Sequence, residues 1–210
     1  MIAFDKRLIR TNLKIIKKII CKIFYIPTFI MNLKTKLMAT ITLGGNPVKT
    51  SGNLPAINSK ALDFKLIATD LSTKTIKDFL GYNLILNIFP SVNTAVCSAS
   101  VRAFNKAAAS LSNTKVLCIS RDLPFAQEQF CAAEGIENVI MLSDFKNGTF
   151  GNDYGLIMND GIFDGLLSRC VIITNEKSNI IYTEQVQEIG EEPNYEKALE
   201  LMMNWDKKMS

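Results

Sequence analysis

The run Pro90-Ser91-Val92-Asn93-Thr94-Ala95-Val96-Cys97 places a thiol behind the apolar stretch LILNIF, at the start of an Ala-rich helical pattern. A cysteine in a helix's first turn faces unpaired backbone N–H groups and the positive end of the helix dipole. Both favour an anion, so the Cys97 thiolate is expected to be stabilised and its pKa lowered. Thr94 is a natural N-cap, and its hydroxyl can exchange a hydrogen bond with an oxygen held near the sulfur. Pro90 fixes the loop and shields the site without offering an N–H. Position alone leaves a second reading open, in which Cys97 is a small apolar residue facing the sheet.

The other chemistry is narrowed by what is missing. The chain has 210 residues and no histidine. Ser-His-Asp triads, HExxH zinc sites, histidine-ligated haem and histidine pH switches are therefore excluded. Five cysteines are present, Cys21, Cys97, Cys118, Cys131 and Cys170, and none makes a CxxC pair. Zinc-finger spacing and a thioredoxin-type dithiol are thus absent. This usage fits buried thiols in a reducing compartment. Cys118 lies mid-strand in VLCIS and reads as inert core. Cys170 follows Arg169, and strand alternation turns the two to opposite faces.

Charge divides the chain. Residues 1–38 carry nine Lys or Arg against the single acid Asp5, whereas the remainder carries fifteen against nineteen. The net +4 is thus a property of a basic, apolar leader, and the body is mildly acidic. A body without a basic stripe argues against nucleic-acid binding. The leader reads as a targeting segment, a membrane-surface segment or a misassigned start, Met31 or Met38 being the alternatives. Its uncharged stretch Ile23 to Leu33 is too short to span a bilayer. We expect residues 39–210 to form one domain, working in the cytoplasm unless the leader directs it to a periplasm or organelle.

The elements that must position Cys97 follow from patterning. Thr40–Leu43 and Val48–Thr50 read as a hairpin around GGNP, and Phe64–Ile67 as a short strand. Leu84–Phe89 and Val116–Ile119 are apolar runs typical of buried strands. Residues 95–111 show a helical apolar face. Asp122 and Pro124 read as N-cap and first turn of a helix through Glu134, with Gly135 as its stop. Val139–Leu142 is strand-like, Val171–Thr174 and Ile180–Val186 form a second hairpin, and Pro193 opens a last helix. The glycine-rich stretch from Gly148 to Gly165 reads as loop. Its Phe150, Tyr154, Ile157, Ile162 and Phe163 suit a wall for alkyl tails, a dimer surface or core. The order gives an α/β architecture, a mixed central sheet flanked by helices with an N-terminal β-hairpin.

PSVNTAVC fits the PxxxTxxC signature of the peroxiredoxins. The stretches GGNPV, TAVCSASVRAFN, VLCISRDLPFAQEQFCAAEG and EEPNYEKAL make the body resemble the thiol peroxidase subfamily, from about Thr40 to Leu201. The resemblance implies a thioredoxin-like fold and reduction of hydrogen peroxide and organic hydroperoxides. It implies Cys97 as peroxidatic cysteine, Cys131 as resolving cysteine, and Thr94, Pro90 and Arg169 as active-site residues. It also implies a Cys97–Cys131 disulfide recycled by a thioredoxin-like reductant, and a homodimer. Such chemistry requires no metal and no cofactor. Cysteines on separate helices seldom meet the Cα spacing of a disulfide, so local unfolding during turnover is expected. The reading from another class is a redox-sensing module that binds a partner in its oxidised form without efficient turnover.

Overall fold

The computed structural model describes residues 38–209. The readings of residues 1–37 and of Cys21 lie outside them. The first two strands, β1 (Thr40–Leu43) and β2 (Asn46–Lys49), pair antiparallel with Leu43 opposite Asn46. Gly44 and Gly45 alone make the turn, with φ of 58° and 79°. Two successive positive φ values are open to glycine at little cost, which explains the tight connection. Pro47 was expected in the turn but lies in β2 opposite Thr42. A two-stranded ribbon has free edges, so its missing N–H is harmless there.

The main sheet has seven strands in the order β4-β3-β7-β6-β5-β8-β9. These are β3 (Leu66–Ala68), β4 (Thr73–Lys74), β5 (Asn83–Ile88), β6 (Thr114–Ser120), β7 (Ile140–Ser143), β8 (Cys170–Thr174) and β9 (Ile180–Gln185). Strands β5, β6 and β7 run parallel, and every other pair is antiparallel. Parallel neighbours need a crossover, and two helices supply it. They are α1 (Ala95–Ala108), between β5 and β6, and α2 (Pro124–Glu134), between β6 and β7. A short α3 (Thr149–Asp153) and a final α4 (Tyr195–Met209) complete the described fold. It is a thioredoxin-like α/β fold with the expected N-terminal hairpin.

Side chains of β5 alternate between two cores. Leu84, Leu86 and Ile88 join Phe64, Phe150, Tyr154 and Cys170 on one face. Ile85 and Phe89 join Cys97, Phe104, Cys118, Ala198 and Met202 on the other, where α1 and α4 pack. Arg169 and Cys170 are accordingly separated by the sheet, as alternation requires. Phe104 of α1 meets Tyr195 of α4 edge-on, ring centroids 5.4 Å apart. That contact adds about 1 kcal/mol to the burial of both rings.

Several boundaries depart from the sequence reading. The strand expected at Phe64–Ile67 is shifted to Leu66–Ala68, and helix α1 ends at Ala108 instead of residue 111. The pair β4 and the 3-10 turn Ile76–Phe79 were not foreseen, nor was α3 inside the stretch read as loop. All are five residues or fewer, too short to show a period. Within that stretch Phe150 and Tyr154 are core, whereas Ile162 is 87% exposed. Among the described residues no helix is long and apolar enough to cross a membrane.

Candidate active site

The site is built where β5 ends. Pro90 is buried directly after the strand, and the chain turns through Ser91, Val92 and Asn93 into α1. Thr94 holds the N-cap position with extended backbone, φ −103° and ψ 146°. Its side chain makes no cap hydrogen bond, contrary to expectation. The Thr94 Oγ1 instead donates to the Ser91 carbonyl at 3.1 Å, closing the loop on itself. Cys97 is the third residue of the helix and fully buried. The helix's unpaired N–H groups therefore lie beside its sulfur.

Arg169 reaches the same sulfur from the residue before β8. Its Nη2 stands 3.5 Å from Cys97 Sγ. Its Nε donates to the Ile189 carbonyl at 3.0 Å, which anchors the guanidinium. The residue is 2% exposed, and among the described residues its Nη1 has no hydrogen-bond partner. A buried guanidinium N–H is costly to leave unpaired. Tyr195, at the start of α4, packs its ring on Phe104 of α1 beside this site. Burial and the nearby Glu192 carboxylate keep its hydroxyl protonated.

A pocket of about 180 Å³ opens against these groups, lined by Leu43, Pro90, Thr94, Val96, Phe163, Arg169, Ile189 and Gly190 among others. Its walls are apolar apart from Arg169 and Thr94. The hairpin residue Leu43 is held over it by Glu188, whose carboxylate accepts from Thr42 Oγ1 and from the Gly44 and Gly45 N–H groups. These bonds, with the Gly190 N–H, hold the Glu188 carboxyl at about 2. A larger groove of about 360 Å³ runs along α4, lined by Lys197, Glu200 and Trp205 among others.

Pro90, Thr94, Cys97 and Arg169 thus converge. Cys131 does not join them: it sits on α2, half-buried, as a free thiol packed against the core that holds Cys97 and Cys118. Burial pushes its thiol up. Cys118 and Cys170 are fully buried, and burial pushes both up to about 12. They are protonated and inert at neutral pH. Among the described residues no cluster could hold a metal ion.

Those two thiols carry a pH prediction. The folded state keeps them protonated up to about 12, whereas the unfolded chain releases their protons near 9.0. Their contribution to stability is therefore complete below about pH 9 and is lost as pH rises toward 12. One unit above the unfolded value the loss is about 3 kcal/mol for the pair. Urea titrations from pH 8 to 10 should show this slope, before the raised hydroxyls of Tyr154, Tyr182 and Tyr195 add their own above it. A Cys118→Ala, Cys170→Ala double variant should lose much of it, and an unchanged slope would contradict the assignment.

Sequence reasoning missed Asp122's real partners. Asp122 is not the cap of α2, a position that falls to Leu123. Its carboxylate turns to the loop before α1 instead, accepting from Ser91 Oγ at 2.6 Å and the Val92 N–H at 2.7 Å. The partners are some thirty positions away, so no local pattern could have found them.

A thioredoxin-like sheet that seats a lone thiol in a helix's first turn, under a buried arginine and without a CxxC partner, is a thiol-based oxidoreductase. Known proteins sharpen that class. A family model described as Redoxin matches residues 56–199. The thiol peroxidase of Corynebacterium glutamicum is 51% identical over 162 residues, covering 77% of this chain and 98% of the relative. That of Mycobacterium tuberculosis is also 51% identical, covering 77% and 97%. The crystal structure of a peroxiredoxin-like protein from Aquifex aeolicus superposes with a TM-score of 0.74 at 32% identity, over 80% of this chain and 98% of that one. The chain belongs to the redoxin family, among the thiol peroxidases of the peroxiredoxins, and it is a thiol-dependent peroxidase.

Proposed function

We propose that Cys97 is the thiol that attacks the peroxide and that Cys131 resolves it. The observation that carries the reading is the buried Arg169, anchored by Nε on the Ile189 carbonyl with Nη2 on Cys97 Sγ. The Arg169 guanidinium and the first turn of α1 are set against the Cys97 sulfur. The hydroperoxide enters the pocket between Pro90, Thr94 and Phe163. The thiolate attacks the near oxygen and the O–O bond breaks. The far oxygen leaves as hydroxide or alkoxide and takes a proton to become water or alcohol. Arg169 donates to the oxygens as that charge develops. Cys97 is left as sulfenic acid.

Resolution follows with matched atoms. The Cys131 thiol displaces hydroxide from the Cys97 sulfenic sulfur, giving a disulfide and one water. Cys97 is fully buried and Cys131 half-buried on another helix, so α1 and α2 open locally to bring them together. Opening also removes the burial that holds the Cys131 thiol protonated. A thioredoxin-type dithiol then reduces the disulfide. The apolar walls suit organic hydroperoxides beside hydrogen peroxide. Pairing of two copies and work in the cytoplasm belong to the same reading. The exposed Leu123 and Phe125 at the start of α2 offer apolar area for pairing. A sedimentation mass of one chain would remove the dimer.

The test is peptide mass mapping of reduced protein after one equivalent of hydrogen peroxide, with free thiols capped. A Cys97–Cys131 crosslink with Cys118 and Cys170 capped is expected. Cys97 stalled as sulfenic or sulfinic acid with Cys131 capped would remove the resolving role. An unmodified Cys97 would remove the peroxidatic one.

A further inference from the structure

Asp122 stands between β6 and α2, and its carboxylate bonds the loop before α1 directly and reaches α2 through the Ser120 hydroxyl. Toward α1 it accepts from Ser91 Oγ and the Val92 N–H, the loop that delivers Cys97. Toward α2 it accepts from Ser120 Oγ at 2.7 Å. The same Ser120 hydroxyl accepts from Gln127 Nε2 at 3.0 Å, and Gln127 also donates to the Leu142 carbonyl at 3.1 Å. Gln127 is fully buried in α2, one turn before Cys131 on the same face. The Asp122 backbone carbonyl is in turn held by Ser143 Oγ. A continuous chain of hydrogen bonds thus runs from the Cys97 loop through one carboxylate to the helix face that carries Cys131.

We propose that Asp122 is a positioning residue that ties the opening of α1 to that of α2. It thereby sets how oxidised Cys97 divides between disulfide and over-oxidation. The inference rests on the assignment of Cys97 and Cys131 made above. With the clasp closed, the Cys97 loop is fixed for attack on peroxide, and Cys131 is kept away from the sulfenic acid. The waiting sulfenate is then open to a second hydroperoxide, which transfers one oxygen to give sulfinate and leaves as water or alcohol. With the clasp released, both helices open together and the thiol of Cys131 reaches the sulfenic sulfur first. Charge-assisted hydrogen bonds are strong enough for their loss to shift such a partition by about tenfold.

The test pulses reduced full-length protein with excess hydrogen peroxide. Cys97 sulfinate and the Cys97–Cys131 disulfide are then counted by mass spectrometry. Asp122→Ala should lower the sulfinate share about tenfold and slow the first oxidation about tenfold. Asp122→Asn, which keeps the geometry without the charge, should restore part of both. Its carbonyl can accept from Val92 and Ser120, and its amide can donate to Ser91 Oγ. Ser91→Ala, which cuts only the α1 side, should act in the same direction at about threefold. It serves if Asp122→Ala does not fold. Phe64→Leu, in the core on the opposite face of the sheet, controls for lost stability and should leave the partition unmoved. A wild-type partition in the Ala variants overturns the proposal, as does an equal shift in Phe64→Leu. A wild-type protein that forms no Cys97–Cys131 disulfide overturns the underlying assignment itself, and that is read without any variant.

Discussion

Cys97→Ser is expected to abolish peroxide reduction, lowering the second-order rate by about 10⁴-fold or more. The reason lies in the element: sulfur is a soft, strong nucleophile toward a peroxide oxygen, and a serine oxygen in the same place is not. The substitution is nearly isosteric, and Cys97 is fully buried in a core that accepts a small side chain. Thermal stability should therefore move little, which separates lost chemistry from lost fold. Cys131→Ser should behave differently. Its first turnover should match the wild type within about twofold, because Cys131 takes no part in breaking the O–O bond. Steady-state turnover with a thioredoxin system should fall by about a hundredfold, since the sulfenic acid has no resolving partner. Rapid-quench measurement of the first turnover beside a coupled steady-state assay reads both. Substantial turnover in Cys97→Ser would move the chemistry to another thiol. Full steady-state turnover in Cys131→Ser would make resolution external.

How much of this was legible in the sequence depends on the range of the interaction. Cys97, Thr94 and Pro90 could be placed because strand, loop and helix start are contiguous, and apolar runs locate strand and helix. The two opposed cores follow from alternation in LILNIF and VLCIS, as does the separation of Arg169 from Cys170. Arg169 itself is seventy-two positions from Cys97. Only the family resemblance linked them, because β8 pairs with β5 through a connection that patterning cannot see. Cys131 likewise owed its role to resemblance. Asp122 shows the opposite failure. A local rule reads aspartate before Leu-Pro as a cap, and the rule loses to partners supplied by a neighbouring strand's loop. Thr94 took the cap position yet spent its hydroxyl on Ser91. Secondary-structure signals thus located the thiol. The hydrogen bonds that tune it came from residues far apart in the chain.

Arg169 carries the second large expectation. Arg169→Met should lower the rate constant for peroxide by about 10² to 10³, the range seen when a preorganised donor to a developing oxyanion is removed. Methionine preserves much of the stem volume, so packing changes little. What disappears is a donor fixed in place: Nε on the Ile189 carbonyl holds the plane, and Nη2 meets the sulfur. Arg169→Lys keeps the charge but not the fork. A single ammonium cannot bond the Ile189 carbonyl while also meeting the thiolate and a peroxide oxygen. Lysine should therefore recover no more than about tenfold of the loss. The two variants separate two contributions. If charge beside the sulfur dominates, lysine restores the neutral-pH alkylation of Cys97 and most of the peroxide rate together. If geometry dominates, lysine restores alkylation by a small thiol reagent while peroxide reduction stays slow. The anchored Nε favours the second outcome. Reagents that need only a thiolate should thus be less sensitive to Arg169 than a peroxide that must be held at both oxygens. A loss below about tenfold in Arg169→Met would mean that the α1 N-terminus alone activates Cys97 and that the buried guanidinium serves the fold.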